Sequence, residues 1–392
     1  MSIGTSIEWT DATWSPVTGC TRVSAGCDHC YSARMTHRLE MMGHEKYRGL
    51  TVVNPKGDRH FNGVVKTHEA VLAEPLKWKK PRRIFVNSMS DTFHREVPFE
   101  FIDRIFAVAA LCPQHTFQIL TKRPERTAEY LKSRSPSIFQ AAGDWPVMAV
   151  ARKIAKGHGS NLVNEAAVIA WPLPNLWLGT SVEDQARADE RIPHLLRCPA
   201  AVHFISAEPL LGPVDFSRWI AGAGRRPQDC LPTFQRGRQQ TREFRVGDVS
   251  RAANSRPTCA ESGADEPERR EECDEQAECR SGSRDQAQAV SGGETCEHCG
   301  GLRSDRQDSI KNRHRPPLDQ IIVGGESGPG ARPMHPNWAR SIRNQCQSAG
   351  VPFFYKQGSQ ANWQNFKEFS SFPKDLQVRE FPIRKFNGDL RA

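Results

Sequence analysis

The chain has 392 residues, 38% hydrophobic and 25% charged, a balance that suits a soluble globular protein and excludes a wholly disordered one. Lys and Arg outnumber Asp and Glu by 54 to 45, which points toward an anionic partner. No uncharged apolar run reaches membrane-spanning length, and the opening MSIGTSIEWT lacks the basic and apolar regions of a secretory signal, so a cytoplasmic protein with no membrane partner is expected.

In chain order, a first strand is expected within ATWSPVTG, residues 12–19. It leads into GCTRVSAGCDHCYSARM, residues 19–35, where Cys20, Cys27 and Cys30 fall within eleven residues. Gly19, Gly26 and Asp28 mark that stretch as turns, and a helix is expected over 31–42, stopped by Gly43. Short apolar runs then recur at 83–87 (RIFVN), 116–120 (TFQIL), 176–179 (LWLG), 202–205 (VHFI), 320–323 (QIIV) and 352–355 (PFFY). Without polar alternation, each reads as a strand buried on both faces. Helices are expected between them over 99–111, 124–131, 183–196 and 336–349. Strands alternating with helices imply an α/β fold with a parallel sheet, as a partial or full (β/α) barrel. A doubly wound open sheet is the structural alternative.

Residues 222–317 differ from both flanks. They hold one Ile, two Leu and three Val, no Trp or Tyr, and 17 basic against 17 acidic residues. So little apolar surface cannot offset the entropy of ordering, which predicts a long low-complexity insertion splitting one barrel domain, 1–221 and 318–392. Cys296 and Cys299 in CEHCGG resemble half of a zinc ribbon, with Cys273 and Cys279 upstream as the other candidate ligands for a zinc ion.

Every expected strand empties into small, hydroxyl or charged residues: SMSDTFH, TKRPER, TSVEDQ, SAEPLLG, GGESGPGARP and KQGSQ. In a parallel barrel these ends share one face, where active sites are built. Asp91, Lys122, Glu183, Glu208 and Glu326 are therefore expected on a common site, although each segment alone could be an ordinary helix cap. GGESGPGARP lacks the Lys-Ser/Thr ending of a phosphate-binding loop and the spacing of a dinucleotide fingerprint. Its Gly324 and Gly325 allow close backbone approach to a ligand instead. Lys122 and Arg123 could meet a carboxylate or phosphate, and Trp9, Trp14, Trp171 and Trp177 are either stacking surfaces or core.

Thiolates are soft ligands, and in a reducing compartment the twelve cysteines read as metal ligands or small buried residues before disulfides. Three of them leave one position open, either the fourth site of a zinc ion or one iron of a cubane. A zinc knuckle completed by His29, His37 or His44 is one alternative, and inert buried thiols are another.

A three-cysteine loop at the first strand of a partial (β/α) barrel resembles the radical S-adenosylmethionine enzymes. IEWTDATWSPVTGCTRVSAGCDHCYSARM, with FVNSMSDTFH, ILTKRPER, LWLGTSVEDQ, FISAEPLLGPV and IIVGGESGPGARPM, is similar to a phage-associated family of unknown function. The spacing here is C-x6-C-x2-C, where radical enzymes usually carry C-x3-C-x2-C. The resemblance implies a [4Fe–4S] cluster on Cys20, Cys27 and Cys30, with S-adenosylmethionine on the fourth iron. Cleavage of that cofactor by an electron from an external donor would yield a 5′-deoxyadenosyl radical. It further implies methionine-side contacts from Asn87, Ser88, Ser90 and Asp91, and a contact to the carboxylate from Lys122. Ribose or carboxylate contacts would come from Ser181, Glu183 and Glu208, and adenine-side or substrate contacts from Glu326 and Ser327. A nucleic acid or nucleotide is the expected substrate. The competing readings are a zinc-stabilised, non-catalytic nucleic-acid-binding protein and a barrel hydrolase using Asp91, Glu208 and Glu326 as acid and base.

Overall fold

A computed structural model describes residues 5–55, 57–135, 145–158, 170–220, 318–361 and 366–382. The expected insertion at 222–317, with its candidate zinc ligands Cys273, Cys279, Cys296 and Cys299, lies outside the described residues.

The described strands and helices follow one another as β1 (Ala12–Trp14), β2 (Val17–Thr18), α1 (Tyr31–Met41), β3 (Thr51–Val53), β4 (Arg59–Phe61), β5 (Lys66–Thr67), β6 (Arg83–Val86) and α2 (Phe99–Ala110). They continue as β7 (Thr116–Thr121), α3 (Pro124–Ser133), α4 (Pro146–His158), β8 (Leu176–Ser181), α5 (Gln185–Leu195), β9 (Val202–Ala207), α6 (Ser217–Ile220), β10 (Gln320–Gly324), α7 (Pro336–Ala349) and β11 (Phe353–Gln357).

Seven of these strands form one sheet in the order β1-β6-β7-β8-β9-β10-β11, and every neighbouring pair is parallel. Each new strand is laid beside the last with no reversal of direction across the sheet. A doubly wound sheet needs such a reversal, so that alternative is corrected: the sheet is an open parallel half-barrel.

Five of the six expected strands extend one or two residues past their apolar runs, β7, β8 and β9 because polar residues stay in the ladder, whereas β6 stops at Val86, one residue short of the expected Asn87. Thr180 pairs with Ile205 and Ser181 with Ser206. The β3–β4 hairpin and α4 had no expected counterpart, and α5 begins at Gln185 because Asp184 caps it, accepting from Arg187 N at 2.8 Å. α7 starts on Pro336 and stops at Gly350, whose φ of 67° is the left-handed conformation glycine tolerates at a helix end.

Alternate strand residues face opposite sides of the sheet. Ile84, Val86, Leu178, Ile321, Val323 and Phe353 pack against the helices, among them Ile102 and Phe106 of α2, Ile192 of α5 and Ile342 of α7. Phe85, Trp177, Phe204, Ile322 and Phe354 form a separate inner cluster with Trp9. Trp9, Trp14 and Trp177 are thus buried in the core, while Trp171 is only partly buried. Among the described residues, no helix is long and apolar enough to cross a membrane.

The inner layer explains one glycine. Gly179 sits opposite Phe204 in the β8–β9 register, and a Cβ there would come within 2.5 Å of the Phe204 ring. Gly179→Ala is therefore expected to destabilise the protein by about 1–3 kcal/mol, measured by urea unfolding, because the ring must leave its site. Adding Phe204→Leu should recover part of that loss.

Candidate active site

The C-terminal strand ends and the cysteine loop together line a cleft with about 200 Å³ of water-accessible space. Cys20, Cys27 and Cys30 all open onto it as free thiols. Of the ten residues named above as cofactor contacts, nine also line it: Asn87, Ser88, Ser90, Asp91, Lys122, Ser181, Glu208, Glu326 and Ser327. Glu183 does not.

Glu183 lies behind the cysteine loop, fully buried. Its Oε1 accepts from Ser24 Oγ at 2.6 Å and lies 3.5 Å from Lys122 Nζ, while Oε2 accepts from Arg191 at 2.9 Å. Burial alone would raise its pKa, but the two cations and the serine outweigh it and hold the carboxyl below its usual range. Gly26 passes so close that a Cβ would collide with the Glu183 carboxylate. Glu183 therefore fastens the loop to the barrel instead of facing a ligand.

Three arginines complete the fastening. Arg123 donates to Asp91 at 2.8 Å, to Thr21 Oγ1 at 2.7 Å and weakly to Cys20 Sγ at 3.9 Å. Arg332 donates to the Ala25 carbonyl and to both oxygens of Glu326. Arg34 donates to the carbonyls of His29 and Pro329.

These partners decide what the candidate carboxylates can do. Asp91 Oδ1 accepts from Thr121 Oγ1 and Phe93 N, and its Oδ2 accepts from Lys122 N and Arg123. Both Glu326 oxygens are held by Arg332. Asn87, in a left-handed conformation at φ 57°, joins Val17 N to Thr92 Oγ1, and Ser90 Oγ donates to the Val17 carbonyl. These side chains shape the cleft wall. Glu208 differs: its Oε2 accepts from Ser206 Oγ at 2.9 Å, and Lys356 Nζ lies 2.9 Å from Oε1, both partners lining the cleft.

Lys356, Thr21, Tyr31 and Ser206 also line the cleft, and none was among the residues singled out as site ligands; Arg123, expected with Lys122 to meet a carboxylate or phosphate, lines it too but is engaged by Asp91 and Thr21. Lys356 and Ser206 were legible in principle. They fall two residues beyond the inner-facing Phe354 and Phe204, the same period of two that delivers Lys122 after Leu120.

Among the described residues, no group of three or more His, Cys, Asp or Glu converges to hold one metal ion, and this covers His29, His37 and His44 beside the thiols. A cubane asks less, because each cysteine binds a different iron. Burial, and then the charge of Asp91, push the Cys20 thiol up to about 12, with Arg123 acting in the opposite direction.

An open parallel half-barrel with three free thiols at the mouth of its strand-end cleft defines the class of protein. Residues 4–382 match the family described as protein of unknown function (DUF5131), and the chain belongs to that family. No curated protein and no solved structure matches it.

Two outcomes follow from these contacts. Glu183→Ala leaves Arg191 buried without a counter-charge and should cost about 3–5 kcal/mol in denaturant unfolding. A Glu183→Leu, Arg191→Met double variant should cost less than Glu183→Ala alone. The second outcome concerns His94. Burial first, then Arg123, lower its pKa from 6.5 to about 4. Glu96 N donates to His94 Nδ1, so the proton sits on Nε2, 2.9 Å from Thr21 Oγ1. The unfolded chain takes up this proton below pH 6.5 while the folded chain resists until about pH 4. Stability should therefore fall as pH drops through that window, by up to about 3 kcal/mol, and His94→Gln should flatten the profile.

Proposed function

We propose that the protein is a radical S-adenosylmethionine-type enzyme acting on a nucleic acid or nucleotide. The observation that carries the reading is the convergence of Cys20, Cys27 and Cys30 on the same cleft as the polar ends of the parallel strands.

A reduced cluster with S-adenosylmethionine bound supplies a hydrogen-abstracting carbon radical, the electron coming from an external donor. The chain's own residues do the rest. The three thiolates would hold three irons, and the loop fastenings from Glu183, Arg123, Arg332 and Arg34 keep the sulfurs in place before anything binds. Lys122 and Lys356 give the cleft cationic groups suited to a carboxylate or phosphate. The inner aromatic layer beneath, with Trp9 and Phe85 on the cleft wall, keeps its base dry.

One observation weighs against the hydrolase alternative. The hydrolase reading needs acid and base groups free to exchange protons, whereas Asp91 and Glu326 are each held by an arginine.

Full-length protein reconstituted anaerobically with iron and sulfide is expected to turn brown and bind about four of each per chain. Cys20→Ala, Cys27→Ala and Cys30→Ala should each abolish the cluster signal in electron paramagnetic resonance. The wild type should release 5′-deoxyadenosine from S-adenosylmethionine under a strong reductant. A colourless protein holding one zinc ion through the three cysteines would overturn the proposal.

A further inference from the structure

KWKKPRR, residues 77–83, places five cations and no carboxylate in seven positions, in a chain whose net charge is +9. The cleft makes no use of these residues. The stretch leads into β6 at Arg83, so it stands at the opposite end of that strand from the cleft residues Asn87, Ser88, Ser90 and Asp91.

The stretch is a strap pinned to the barrel. A short helical turn over Pro75–Lys77 ends at Trp78, whose extended backbone (ψ 113°) carries the chain onward. Trp78 packs against the core, with the His115 ring edge-on at 6.0 Å and the Arg82 guanidinium 5.9 Å from the indole. Gln114 donates to the Trp78 carbonyl at 3.4 Å. Pro81 fixes its own φ and keeps Lys80 out of the helical region, which stiffens the passage into the sheet.

With Trp78 turned inward, Lys77, Lys79 and Lys80 are exposed, and they form no hydrogen bond or ion pair among the described residues. The nearby carboxylates are Asp11, paired with Arg83 at 3.0 Å, and the partly buried Glu74. Three ammonium groups held side by side repel one another, so the strap costs stability unless an anion meets it.

We infer that Lys77, Lys79 and Lys80 form a strip that holds the phosphate backbone of a nucleic acid, without regard to base sequence. A row of point charges on a fixed strap suits a polymer that carries one phosphate per nucleotide. Two other anionic partners fit less well. An anionic lipid surface calls for apolar side chains that enter it, and a protein interface for an apolar centre. Among the described residues, the exposed large apolar side chains lie within 31–64 or at Phe369, and none lies on the strap. β6 has four residues, so the strip lies about 13 Å along the sheet from the cleft mouth, a span that a few nucleotides bridge. The inference concerns a different face from the cleft and does not rest on the cluster.

The test is fluorescence anisotropy of labelled DNA of about 20 nucleotides, single-stranded and duplex, titrated with the full chain at several salt concentrations. Wild type should bind oligothymidine and a mixed sequence within about threefold of each other, with log K falling linearly as log salt rises. A triple variant, Lys77→Gln with Lys79→Gln and Lys80→Gln, should flatten that slope by about two for single strands, at about 0.7 per contact. At about 0.1 M salt its binding should be at least about tenfold weaker. The charge-retaining triple, Lys77→Arg with Lys79→Arg and Lys80→Arg, should keep both the slope and the affinity. No binding of either DNA, a wild-type slope too shallow for three contacts, or a slope unchanged in the glutamine variant overturns the inference. So does tighter lysine-dependent binding to phosphatidylserine vesicles or to polyglutamate than to DNA, which would assign the strip to a lipid surface or an acidic protein. The titrations are run with and without reconstituted iron and sulfide, so the two readings fail separately. A brown protein that ignores DNA defeats the inference alone, and a colourless one with lysine-dependent binding defeats the radical reading alone.

Discussion

The carboxylate of Glu183 is the constraint on which the site depends. A loop of glycines, serines and cysteines cannot hold a shape by burying apolar surface, so something else must fix it. Glu183, wholly buried, does so from behind by accepting from Ser24, while Lys122 and Arg191 neutralise its charge. Two cations around one anion offset a desolvation cost that a single partner rarely covers. The arrangement is not relaxed throughout, because Nε and Nη2 of Arg191 are buried without hydrogen-bond partners among the described residues. The loop is thus held by directional electrostatic contacts from the barrel, and its outer side stays free to present thiols.

The barrel can provide such contacts because of how its inner face changes along each strand. Deep in the half-barrel the inward positions are Phe85, Trp177, Phe204, Ile322 and Phe354, which pack on one another. One step of two toward the C-terminal end, the same rows carry Asn87, Ser206, Gly324 and Lys356, followed on two of them by Glu208 and Glu326. Apolar burial therefore stabilises the sheet directly beneath the polar residues, and the charged groups stand on a rigid support. Strand register fixes which residues meet: β9 and β11 both flank β10, so Glu208 and Lys356 approach across a single glycine.

This layering governs what the sequence made legible. Six apolar runs located six parallel strands, and the polar segments behind them located the cleft wall, because both are local patterns. The ends of β7, β8 and β9 were underestimated because Thr121, Ser181 and Ser206 are polar yet still paired in the ladder. Side-chain roles were less legible. Asp91 and Glu326 looked like ligand contacts by position, but their arginine partners, Arg123 and Arg332, come from loops whose packing no periodicity encodes. Arg191 was hidden for the opposite reason: a charged residue in a helical pattern ordinarily faces water, and only the fold brings it against Glu183.

The C-x6-C-x2-C spacing takes on a physical reason from the same contacts. Gly19 turns the chain at φ 87°, pairs with Ser90 as a parallel bridge and delivers Cys20 beside Arg123. A tight turn over Ala25–Cys27 places the second thiol, and Cys30 stands as the residue capping α1. Four of the six intervening residues, Thr21, Ser24, Ala25 and Gly26, either make the contacts to Arg123, Glu183 and Arg332 or leave room for them. A gap of three could not carry all four of these residues. The six-residue gap is where the loop gains its own fastening to the barrel, so its length and the burial of Glu183 are two sides of one structural solution.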